Sequence, residues 1–221
     1  EIPILGEASV LRARALGRPA VVNLSLGTQI SVHDGTSNLA RGITALTRDA
    51  AGREIPGRVV VAAAGNEGGT DRHAAVFPGP GGPAEVTLVI PDYKPTSSAE
   101  LTHVEIWYDA SLALQVTTPA GRTIGPVATL QRKEVQTDEG LVKILNSVKG
   151  ADARNQLHRL VFLVQERDRV VPAAGRWRMR ISGAARRGDV WLVNPGTPGA
   201  PHLEGPIDND MMLDAPATGE G

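Results

Sequence analysis

At 221 residues the chain is long enough for one large domain or two small ones with a sizeable buried core. It has no cysteine, which excludes disulfide frameworks, thiolate zinc sites and thiol catalysis, and its 23 basic against 24 acidic residues give no electrostatic case for a polyanion or a membrane surface. Three Trp, two Tyr and two Phe leave the core to Val, Leu, Ile and Ala and argue against an aromatic platform for single-stranded nucleic acid, and no apolar run approaches the ~20 residues that cross a bilayer.

The first predicted element is a helix over 5–16, ended by Gly17 to Pro19. Two short apolar runs follow, 20–26 and 58–64, of the kind found in parallel strands buried on both faces. Between them Leu39, Ile43, Leu46 and Ala50 recur at helical spacing, with Thr36 or Ser37 placed to cap the start and Gly52 to end it. Strand, helix, strand is a βαβ unit. Two proline and glycine joints then divide the chain: Pro78-Gly79-Pro80-Gly81-Gly82-Pro83 and Pro195-Gly196-Thr197-Pro198-Gly199-Ala200-Pro201. Neither can continue a helix or a central strand, and two such breaks around one block mark an insertion. The block itself reads as alternating strands over 84–90, 100–108, 112–118, 141–148, 157–165, 176–182 and 189–194, with 119–140 and 149–156 as long connections. Seven or eight strands make a sandwich or jelly roll.

Ligands of an open parallel sheet bind outside the carboxyl ends of its strands, so the residues after the two host strands are the place to look for chemistry. The first strand ends in Ser25-Leu26-Gly27, where a glycine admits a second backbone. The second ends in Gly65-Asn66-Glu67-Gly68-Gly69, a turn that presents one carboxamide. Taken alone, Asn66 reads as a turn former rather than a catalytic donor.

Together, Val21-Val22-Asn23-Leu24-Ser25-Leu26-Gly27 and Val59-Val60-Val61-Ala62-Ala63-Ala64-Gly65-Asn66-Glu67-Gly68 resemble the subtilisin-like serine proteases, where such a strand and such a turn lie between the catalytic histidine and the catalytic serine. The resemblance covers about residues 1–80. His33-Asp34-Gly35-Thr36-Ser37, Arg72-His73-Ala74 and the β insert look like the subgroup that includes the clostridial spore-germination proteases, which carry a jelly roll inside the catalytic domain. Met211 to Thr218 looks like the point of return to the protease sheet.

The fold this implies is α/β plus all-β: part of a subtilisin-like parallel-sheet α/β core over 1–82, an inserted antiparallel β-sandwich or jelly roll over 83–195, and a return segment over 196–221. Asn66 would be the side-chain donor of the oxyanion hole, where a fixed N–H dipole meets the negative charge of a tetrahedral intermediate. Ser25, Leu26 and Gly27 would pair with the substrate backbone. Ala63, Ala64 and Gly65 would line the pocket for the residue before the scissile bond, with Glu67 at its rim. The parent would cleave a peptide or protein substrate through an acyl-enzyme, with no cofactor and no metal. The resemblance also implies an exported or cell-envelope location for the parent; the near-neutral charge and few aromatics argue against nucleic acid and the short apolar runs against membrane insertion, while open sheet edges leave self-association available to the fragment.

A subtilase also needs an aspartate and a histidine before these motifs and a serine after them, and none of those contexts is present. Gly35-Thr36-Ser37 imitates the serine context but precedes the oxyanion motif, so Ser37 is expected to cap a helix. His33 beside Asp34 makes no dyad, because adjacent side chains cannot both face a third group. His103, His158 and His202 are not at metal-ligand spacing. The isolated chain is therefore expected to be inactive. Period two in Arg176-Trp177-Arg178-Met179-Arg180-Ile181 puts three arginines on one face, read as a solvated face before an acidic-partner stripe. The rival reading is a binding module, the β-sandwich on an α/β platform, or a pseudoenzyme.

Overall fold

The computed structural model describes residues 2–25, 29–63, 69–79, 81–96, 100–195 and 200–208. The chain divides into two compact units that change over between Asn66 and Glu67.

The first unit runs helix α1 (Ile2–Ala15), strand β1 (Ala20–Leu24), helix α2 (Asn38–Thr47), strand β2 (Arg58–Ala62). Gly17, at φ 61°, ends α1 as a left-handed residue, and the Arg18 amide donates back to the Ala13 carbonyl at 2.9 Å. Ser37 caps α2, its Oγ accepting from the Ala40 amide at 3.1 Å. This helix stops at Thr47, short of Ala50 and Gly52. Asp49 Oδ1 accepts from the amides of Ala51 and Arg53, each at 2.9 Å, and that local turn competes with a further helical turn. β1 and β2 pair in parallel from Ala20↔Arg58 to Leu24↔Ala62. α1 packs on α2 and β1, and α2 on β2. Val21, Val59 and Val61 nevertheless stay 70%, 49% and 52% exposed, and the only apolar side chains buried among the described residues of this unit are Val10 and Leu46.

The second unit contains β3 (His73–Val76), β4 (Ala84–Ile90), β5 (Leu101–Tyr108), β6 (Leu112–Thr117), β7 (Thr123–Ala128), β8 (Arg132–Thr137), β9 (Gly140–Asn146), β10 (His158–Gln165), β11 (Gly175–Gly183), β12 (Gly188–Pro195) and β13 (His202–Glu204). One sheet has the order β3-β12-β5-β10-β9-β8 and the other β13-β4-β11-β6-β7, with every pairing antiparallel. Alternation along each strand sends one set of side chains into a shared core. From the first sheet come Val104, Ile106, Phe162 and Leu192, and from the second Leu88, Leu114, Trp177 and Met179, all with no solvent exposure. The Phe162 and Trp177 rings meet with centroids 6.4 Å apart. Buried Asn146 ties the sheets by polar bonds: its Nδ2 donates to the carbonyls of Leu112 (2.9 Å) and Val127 (3.0 Å), and its Oδ1 accepts from the Tyr108 hydroxyl. Both of its amide hydrogens and its oxygen are thus hydrogen-bonded in a place water does not reach.

Outside β3, the chain at 206–208 runs antiparallel to it. The Ala75 amide donates to Pro206 O and the Asp208 amide to His73 O, each at 3.1 Å. At the opposite edge β8 exposes Arg132, Lys133 and Glu134.

The expected parallel-sheet α/β core with its insert is corrected by these observations. Among the described residues the parallel part is one pair of five-residue strands with two helices, and every other strand lies in an antiparallel sheet. The motifs lie in the first 80 residues, but most of the backbone pairing is made later. Segments read as connection or return also form strands: β7 and β8 lie within 119–140, β13 lies beyond 195, and β3 was not foreseen.

Candidate functional site

Parallel pairing brings the ends of β1 and β2 side by side. Ser25 and Ala63 each stand one residue beyond the last register pair, Leu24↔Ala62, and the Ala63 amide donates to Leu24 O at 3.0 Å. Asn23 Nδ2 donates to Ser25 Oγ at 3.3 Å. Both Ser25 and Ala63 are exposed. Leu26, Gly27, Ala64, Gly65, Asn66 and Glu67, the remaining residues expected at the site, lie outside the described residues.

The Gly35-Thr36-Ser37 imitation of a catalytic serine is engaged in local structure. Ser37 Oγ serves the α2 cap, while Asp34 Oδ1 accepts from the Thr36 amide at 2.9 Å and the Thr36 hydroxyl at 2.6 Å. Asp34 is thus committed to its own turn.

The arginine stripe of β11 faces outward, while Trp177, Met179 and Ile181 are fully buried. Arg176 grips Glu204 of β13 with both terminal nitrogens, and Arg186 donates to Asp109 through its backbone amide (2.8 Å) and Nε (2.7 Å). With two of the five arginines in this region tied to carboxylates in this way and Arg187 engaged as below, the stripe offers a weaker field than the sequence suggests.

Two polar clusters are completed by contacts between strands far apart in the chain, His73 with Asp189 in one and Arg159 with Glu105 in the other. In one, His73 of β3 is wholly buried and stacks on Trp191 of β12 at 4.0 Å. Its Nδ1 lies 2.6 Å from Asp208 O, an atom that only accepts, so Nδ1 donates to it. Nε2 faces Asp189 Oδ1 at 3.2 Å. Arg187 links the same carboxylate, at 2.9 Å from Nε, to Asp208 Oδ2 at 3.3 Å. Burial pushes the Asp189 carboxyl up, but the hydrogen bonds from His73 and Arg187 outweigh it and hold it below the ordinary aspartate value. In the other cluster, Glu105 of β5 is fully buried and accepts from Trp107 Nε1 at 3.0 Å and from Arg159, with His103 at 3.3 Å. Again burial raises the carboxyl, and the bonds from His103 and Arg159 bring it below the ordinary glutamate value. Both imidazole and carboxylate of the His73 pair are engaged, and the ring has no route to a substrate, so the pair clasps the end of the unit rather than performing proton transfer.

Among the described residues no group of three or more His, Cys, Asp or Glu is placed to hold a metal ion, and no helix is long and apolar enough to cross a membrane. An open groove of about 580 Å³ lies between Phe77 to Gly79 and 183–186; its one charged lining side chain, Arg186, is already bonded to Asp109.

No protein-family model and no curated protein matches the chain. Among solved structures, that of the Clostridium perfringens CspB protease is similar, with a TM-score of 0.74 at 20% sequence identity over 90% of this chain. The match spans 40% of the CspB chain. What the two share at this identity is a fold.

Proposed function

We propose that this chain is the section of a subtilisin-like serine endopeptidase that supplies the oxyanion-hole donor and the substrate-pairing edge, and that it is inactive by itself. The observation that carries the reading is the juxtaposition of Ser25 and Ala63 at the carboxyl ends of adjacent parallel strands, since these are the two points from which the Ser25-Leu26-Gly27 and Ala63-Ala64-Gly65-Asn66-Glu67 motifs extend. The fold shared with a clostridial protease supports it. In the parent, Ser25 to Gly27 would pair with the substrate backbone, Ala63 to Gly65 would line the pocket, Glu67 would stand at its rim, and the Asn66 carboxamide would stabilise the tetrahedral oxyanion. The aspartate, histidine and serine of the triad have no matching context in these 221 residues.

The chain is expected to cleave no peptide and to take no label from a serine-directed fluorophosphonate; stoichiometric labelling of any serine would sink the proposal. Reading the coding sequence on either side is expected to reveal a histidine motif upstream and a serine motif downstream. In that longer protein Asn66→Ala is expected to lower kcat by about 10²- to 10³-fold with little change in KM, the loss measured for subtilisin's own oxyanion asparagine. The self-contained core of the second unit favours one other reading, a non-catalytic binding module, which absence of both flanking motifs would support.

A further inference from the structure

The buried ring of His73 is faced at both nitrogens by oxygens that accept. Nδ1 lies 2.6 Å from the backbone oxygen of Asp208, and Nε2 lies 3.2 Å from Asp189 Oδ1. A neutral imidazole carries one proton, so one of its nitrogens would turn a lone pair toward an oxygen. The shorter contact, at Nδ1, requires a hydrogen. At Nε2 the lone pair would then face an ionised carboxylate: burial raises the Asp189 carboxyl, yet the bonds from His73 and Arg187 hold it below the ordinary aspartate value. Two protons on the ring satisfy both contacts.

Charge balance gives the same answer. Arg187 places Nε at 2.9 Å and Nη2 at 2.8 Å from Asp189 Oδ1, and Nη2 also reaches Asp208 Oδ2 at 3.3 Å. With an imidazolium the cluster pairs two cations with two carboxylates; with a neutral ring it has one cation for both carboxylates, beside a histidine that has no solvent exposure. Asp71 and Arg72 lie just before the ring in the chain, and β13 carries His202 and Glu204, the latter taken by Arg176. Among the described residues Asp189 is the one carboxylate within ion-pair distance of the ring, and Trp191 covers the ring's face.

We propose that His73 is an imidazolium in the folded protein and acts as a base-sensitive latch, holding 206–208 against β3 while it keeps its second proton and releasing that segment when the proton is lost. Hydroxide takes the Nε2 proton and becomes water, and the N–H electron pair stays on nitrogen, aimed at Asp189 Oδ1. The ring relieves this repulsion by moving, and its Nδ1 bond to Asp208 O moves with it. The Asp208 amide bond to His73 O and the Ala75 amide bond to Pro206 O lie on either side, so the three contacts loosen together. The stabilisation is complete where the folded and unfolded rings are both charged, and it is lost as pH rises and the folded ring gives up its second proton.

The test is NMR of the full chain labelled with nitrogen-15, followed from about pH 7.5, where an unperturbed histidine is about nine-tenths neutral, to about pH 10. At the lower pH both His73 nitrogens are expected to give the signals of protonated imidazole nitrogens. As base is added, the Nε2 signal is expected to change to that of a bare nitrogen, the Ala75 and Asp208 amide signals to move over the same range, and Tm to fall with them. Asp189→Asn, at a partly exposed side chain, is expected to return His73 to the neutral form at the lower pH and to remove that part of the Tm loss. The proposal is overturned by a single protonated nitrogen on His73 in the unmodified chain at about pH 7.5. It is equally overturned by a ring that loses its second proton while both amide signals stay in place, or by an imidazolium that persists in Asp189→Asn.

Discussion

The two units solve the problem of burying a sheet to different degrees. In the second, two antiparallel sheets close on each other, and residues such as Leu88, Phe162, Trp177 and Leu192 lose all contact with water. In the first, helices cover one side of the β1–β2 pair, while Val21, Val59 and Val61 remain exposed. Parallel strands are found almost entirely in sheets covered on both faces, and a two-stranded sheet alone is marginal. The contrast teaches that the unit carrying the protease-like motifs is the less self-sufficient one, and that the stability of this chain resides in the unit without them.

The sharpest way to break that contrast is Trp177→Ala. The indole is fully buried, and its Nε1 donates to Ala173 O at 3.0 Å, so its loss is expected to cost about 3–5 kcal/mol in denaturant unfolding. A cost below about 1 kcal/mol would mean that the sandwich is not where stability lies. Asn146→Ala comes next. It takes a donor from the Leu112 and Val127 carbonyls and an acceptor from the Tyr108 hydroxyl, leaving Thr129 as the partner of Leu112 and Tyr108, and an expected loss of about 1–3 kcal/mol can be read from the same curves.

A smaller effect belongs to pH. The Asp189 and Glu105 carboxyls titrate lower in the folded protein than their unfolded values of 3.8 and 4.5, so the unfolded state binds more protons through that range. Their stabilisation is complete above those values and is lost as pH falls through the folded ones. Tm is therefore expected to drop below about pH 4.5, and Asp189→Asn to flatten part of that drop; an unchanged acid limb in the variant would separate the His73 clasp from stability. The smallest effect is expected for Val59→Thr in the first unit, within about 0.5 kcal/mol, because the side chain is already half in water.

How much of this was legible in the sequence depended on the range of the interaction. β4 and β11 show the period-two alternation of a half-buried strand, and their core residues could be named from it. The Ser37 cap is a local device and was equally visible. β8 was hidden because an edge strand of Arg, Lys, Glu and Gln has little apolar pattern to show, and β13 because three residues carry no period. The α2 terminus was misplaced because Asp49 outbids the next turn, a contest that spacing does not reveal. At the candidate site, the motifs named Ser25 and Ala63, and pairing put them together. The His73–Asp189 clasp joins residues 116 positions apart, and no local pattern encodes such a meeting.

The chain at 206–208, running antiparallel to β3, sets how the second unit would respond to tension. Its first strand and its last described residues leave the sheet at the same corner, with the Asp208 amide on His73 O and the Ala75 amide on Pro206 O. A pull on the two chain ends would act across these bonds rather than along the strands, opening them one after another like a zipper. The His73–Asp208 bond and the Arg187 bridge sit at the first tooth, where they set the force at which unzipping begins.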